Sequence, residues 1–95
     1  MANMSMERET LRALADEGNE TALDRLADLA DTAGDLEELS ELLDEGSMHA
    51  GLLLTRRAAS TGDLLELQRI SDAGYSEAGK ELDRLLKAPA DGRRA

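Results

Sequence analysis

His49 is the single histidine of this chain, and cysteine is absent, so the side chains that most often bind metals or act as nucleophile and base are nearly missing. A protein metal site needs several ligands converging on one point, and no second His or Cys is at hand. The carboxylates of Asp-Thr-Ala-Gly-Asp-Leu-Glu-Glu (31–38) lack the alternating ligands and closing glutamate of a calcium loop. Ser47, Ser60, Thr61 and Ser71 stand where helices are expected to end, and capping or turn chemistry accounts for hydroxyls there. No glycine-rich phosphate loop follows a strand. The expectation is therefore a protein with no catalytic residue, no cofactor and no metal.

Binding chemistry is what remains. Three leucines run together in Gly51-Leu52-Leu53-Leu54-Thr55-Arg56-Arg57. Three sets of residues, each spaced three or four apart, would each share one face of a helix: Asp24, Asp28 and Asp31; Leu52, Arg56 and Ala59; Lys80, Arg84 and Lys87. These sets pass from acidic to basic, as the chain does: residues 1–45 hold 14 acidic and 3 basic side chains, residues 46–95 hold 7 and 8, for a net charge of -10. The first half repels nucleic acid and the second has no dense basic patch to attract it. A protein or peptide is the expected partner, with no nucleic acid and no membrane.

The elements that must position these residues are marked by glycine. Gly18, Gly34, Gly46, Gly62 and Gly74 are spaced 16, 12, 16 and 12 residues apart, a period of 28. Residues 18–45 lie over 46–73, and 74–87 begin a third copy: Ala22, Ala50 and Ala78 share a column, as do Leu26, Leu54 and Leu82. Residues 6–17 match the second half of a unit, with Leu11 over Leu39 and Leu14 over Leu42. Asn19, Asp35, Ser47 and Asp63 follow four of the glycines, so each junction pairs a helix-ending glycine with a helix-starting cap. Tyr75 holds the fifth cap position and is a poor capper, so Ser76 is a second candidate for that start. The punctuation predicts helices over 6–17, 20–33, 36–45, 48–61, 64–73 and 76–87.

Composition agrees. Phe and Trp are absent and Tyr75 is the one aromatic, so a core must come from Leu and Ala, both strong helix formers. With Thr21-Ala22-Leu23 opening one helix and Gly34-Asp35-Leu36, Leu39, Leu42-Leu43 and Gly46 setting the next, the unit resembles helical-hairpin solenoids of the tetratricopeptide and ankyrin type, in a shorter 28-residue form. The resemblance implies stacked hairpins, a superhelical surface and binding of a protein or peptide. The expected fold is all-α: about six antiparallel helices in a right-handed superhelix of about 2.5 to 3 repeats. Residues 6–87 form one domain, and 1–5 and 88–95 are disordered ends. No apolar run reaches the roughly 18 residues of a membrane span, and no secretory leader opens the chain, so the expected location is cytoplasmic.

The 28-residue register sorts the candidate residues. Leu54 falls on the column of Leu26 and belongs to the core, whereas Leu53 aligns with Arg25 and Glu81, and Leu52 with Asp24 and Lys80. Leu52 and Leu53 are expected either to be buried, because the central unit is flanked on both sides, or to form, with Arg56, Lys80 and Arg84, a contact face on the long helices. Asp24 and Asp28, with Asp31, would instead serve a decoy for a basic partner or pair between repeats, as Asp28 with Arg56. Self-assembly, as a homodimer or head to tail through the acidic and basic halves, is the alternative.

Overall fold

The computed structural model describes residues 4–88, and the expected loose ends at 1–3 and 89–95 lie outside the described residues. Six helices account for nearly all of it: α1 (Met4–Asp16), α2 (Glu20–Ala33), α3 (Leu36–Asp44), α4 (Met48–Thr61), α5 (Leu64–Asp72) and α6 (Ser76–Lys87). The described residues contain no strand. The glycine punctuation placed every later boundary within one residue, while α1 starts two residues before its expected position. Nothing in Met4-Ser5-Met6-Glu7 breaks a helix, so Met4 and Ser5, expected to be disordered, are helical.

Each turn works as its residues require. Gly34 and Gly62 close the two 14-residue helices at φ 72° and 70°, a left-handed conformation that costs a side-chain-bearing residue energy and glycine little. The next residue then starts the following helix: the Asp35 carboxylate accepts from the Glu38 N–H at 3.0 Å and Asp63 from Glu66 at 3.1 Å. Asn19 and Ser47 do the same for Ala22 and Ala50. Each such cap stabilises its helix by about 1 kcal/mol. Tyr75 remains the residue before α6 but makes no side-chain cap bond.

Helices pack on their chain neighbours, and the long helices also pack on one another, α2 on α4 and α4 on α6. The core is one continuous cluster in which Leu26, Leu39, Leu42, Leu54, Leu67 and Ile70 are fully buried. Ala27, Ala30, Ala50, Ala58 and Ala78 are buried with them. Alanine at these points lets backbones approach closely, which is why a core with one aromatic residue can still close. The molecule measures 51 × 27 × 17 Å along its principal axes.

Candidate functional site

The two junctions between long helices carry most of the residues singled out by the sequence, and they differ. At the α2/α4 junction the acidic set is spent on partners. Ser47 Oγ donates to Asp24 at 2.9 Å, His49 Nε2 lies 2.6 Å from Asp28, and Arg57 donates through Nε to the Asp31 carboxylate and through its terminal nitrogen to the Asp31 carbonyl, both at 2.7 Å. Asp28 therefore pairs with His49 rather than with Arg56. Arg57 is exposed but tied to α2.

Leu53 is also at this junction, near Asp31 and Arg57, and is 9% exposed. It belongs to the core cluster, so it takes the buried alternative of the two expected for it and leaves little surface for a partner. Its charged siblings differ: Arg25 is exposed on α2, and Glu81 lines the groove at the next junction.

At the α4/α6 junction the corresponding polar pairs are gone. Position 24 becomes Leu52 and position 47 becomes Tyr75, so an aspartate–serine hydrogen bond is replaced by an apolar side chain beside an aromatic one. Tyr75 lies against Gly51: a Cβ built on Gly51 would fall 2.6 Å from the tyrosine ring. Leu52, half-buried, and Tyr75 thus form the apolar side of a groove of about 560 Å³. Arg56, Glu77 and Glu81 form its charged side. Among the described residues Arg56 has no ion-pair partner, whereas Glu77 is held by Lys80 at 3.3 Å and Glu81 by Arg84. The hydrogen bond from Arg84 holds the Glu81 carboxyl below its usual pKa range. Thr55 also lines this groove, and its Oγ1 is buried without a hydrogen-bond partner.

The structure therefore brings Leu52 and Arg56 together in one groove and sets Lys80 and Arg84 on α6 as partners of the groove's glutamates. Asp24 and Asp28 lie at the other junction and Leu53 in the core. Sequence reasoning missed Tyr75 and Gly51. The signal was partly present: Tyr75 departs from both its siblings, Ser47 and Asn19, and Gly51 departs from Leu23 though not from Gly79. Leu65, aligned with Glu37, is 85% exposed at the start of α5, away from this groove.

Among the described residues no group of three or more His, Asp or Glu is placed to hold a metal ion, and no helix is long and apolar enough to cross a membrane. No protein-family model, curated protein or solved structure matches the chain.

Proposed function

We propose that this protein is a small α-solenoid of 28-residue helical hairpins that binds a protein or peptide partner in the α4/α6 groove and has no catalytic role. The groove itself carries the reading. Where the preceding junction is bridged by three polar pairs beside the largely buried Leu53, this one offers Leu52 and Tyr75 next to an arginine with no ion-pair partner among the described residues. Such a surface suits a segment with an apolar anchor beside a carboxylate, because Arg56 gives a charge-assisted hydrogen bond and the anchor covers Leu52 and the ring. The solenoid part of the proposal is supported by the 28-residue register, by packing mainly between chain neighbours and successive long helices, and by the elongated shape. A cytoplasmic location, consistent with a chain free of cysteine, is part of the same proposal.

Affinity capture with the wild-type chain and with Leu52→Asp/Arg56→Glu tests it. The expected result is a partner retained by the first and lost by the second, with both giving the same helical circular-dichroism spectrum. Identical captured sets would sink the reading.

Head-to-tail assembly is disfavoured by α6. Asp83 stands on the column of Ala27 and Thr55, both buried by the next long helix, and Leu86 stands on the column of Ala30 and Ala58. A second copy stacked in register would bury an aspartate and would have to fit a leucine where alanine is needed for close approach. Asp83 is exposed and Leu86 is 61% exposed, as suits an end face. Light scattering at low salt is expected to give the mass of one chain across the micromolar range; a mass that rises with concentration would restore assembly.

A further inference from the structure

A second groove lies between α3 and α5, above α4. It encloses about 440 Å³, with Leu36, Leu54 and Ala58 as its apolar lining and Glu37, Glu66 and Arg69 among its charged residues. The same groove occurs one unit earlier. Arg8, Glu9, Arg12, Leu26 and Glu38 line it there, and adding 28 to each number gives Leu36, Glu37, Ser40, Leu54 and Glu66, all of which line the later groove.

The two copies differ in what crosses them. In the earlier groove Arg8 reaches from α1 to Glu38 on α3, and Arg12 reaches Glu45 at 2.7 Å. In the later one Leu36 and Ser40 replace those arginines. Arg69 turns to its own helix, donating to Glu66 at 2.9 Å, and reaches Ser40 at 2.9 Å. This hydrogen bond keeps the Glu66 carboxyl below its usual pKa range. Leu36 is left 47% exposed. Beside it, Glu37, Glu41 and Asp44 follow one another along a single exposed face of α3, and among the described residues none has an ion-pair partner.

We propose that the α3/α4/α5 groove docks a basic amphipathic segment of a partner protein. An apolar side chain of the segment seats on Leu36, Leu54 and Ala58, and its lysines or arginines face Glu37, Glu41 and Asp44. Charge complementarity selects this occupant, and the chain contains its own precedent: Arg8 of the neighbouring α1 already meets the Glu38 carboxylate of α3 across the equivalent groove, and Arg12 meets Glu45 just beyond the end of α3. The site is separate from the α4/α6 groove, and either stands without the other.

A fluorescein-labelled peptide with leucines at every third or fourth position flanked by arginines provides the probe, with a scrambled peptide of the same composition as its control. Fluorescence anisotropy is expected to show saturable binding to the wild type, at least about tenfold tighter for the patterned peptide. Leu36→Arg/Ser40→Arg copies the earlier groove's arginines into the later one and is expected to weaken binding by about tenfold or more. Thr21→Arg/Leu86→Arg adds the same charge elsewhere and should weaken it by less than about threefold, the share of general attraction at moderate salt. Glu37→Gln/Glu41→Gln/Asp44→Asn leaves the groove's shape intact and should also lose the peptide, which keeps the test valid if the arginine pair fails to fold. Equal binding of both peptides, or equal losses in the two arginine variants, would overturn the proposal in favour of non-specific attraction to an acidic protein.

Discussion

Leu53→Asp is expected to unfold much of the protein population on mild heating, whereas Leu52→Asp, one residue away, should leave stability within about 1 kcal/mol of wild type, the usual range for substitutions on a partly exposed surface. The contrast follows from the two junctions. Leu53 lies in the core cluster at the α2/α4 junction, so replacing it removes buried apolar area and sets a short carboxylate among apolar neighbours. The combined loss is about 3 kcal/mol or more, a large share of the roughly 5–15 kcal/mol that holds a small domain together. For a chain of this size that lowers the melting temperature by roughly 12 °C or more. Leu52 opens onto the α4/α6 groove, and aspartate is already tolerated at the same column in Asp24. Thermal melts followed by circular dichroism separate the outcomes; equal melting temperatures for the two variants would contradict the assignment of Leu53 to the core.

That pair of leucines also marks how far the sequence could be read. Helix number and boundaries were legible because four of the five junctions are encoded locally: a glycine able to adopt positive φ, then a side chain that accepts from the next helix's free N–H groups. Gly34-Asp35 and Gly62-Asp63 need no knowledge of distant residues to end one helix and start another. Burial on the long helices is a different kind of property, since it depends on what the neighbouring unit places opposite. The register set Leu53 against the charges of Arg25 and Glu81 and so left burial and contact both open; those siblings sit on the surface or line a groove, while Leu53 is 9% exposed between α2 and α4. The α3/α4/α5 groove was hidden for a related reason. Its opening depends on Leu36 and Ser40 standing where Arg8 and Arg12 stand, a difference visible in the register but without meaning until the crossing ion pairs are seen.

The junctions also predict a change of sign. Gly51→Ala is expected to destabilise the wild-type chain by about 1–2 kcal/mol and to stabilise a Tyr75→Ser chain by about 0.5–1 kcal/mol. Two opposing effects decide the sign. In a helix interior alanine is favoured over glycine by about 0.8–1 kcal/mol. Against this, the new Cβ would stand 2.6 Å from two atoms of the Tyr75 ring and 2.9 Å from its Cβ. Those are the base of the side chain rather than its mobile end, so relief requires moving α6, and overpacking of this kind costs about 1–3 kcal/mol. With serine at position 75 the obstruction disappears and the propensity gain is left. The chain already shows that the smaller partner makes room: at the preceding junction Ser47 replaces Tyr75, and the column of Gly51 is filled by Leu23, which is 8% exposed. Urea denaturation of the wild type, both single variants and the double variant forms a cycle whose coupling energy should be about 1.5–3 kcal/mol. Additive effects would mean that Gly51 and Tyr75 are independent departures from the repeat. Coupling of the expected sign would mean that the aromatic wall of the α4/α6 groove exists because glycine lies beneath it.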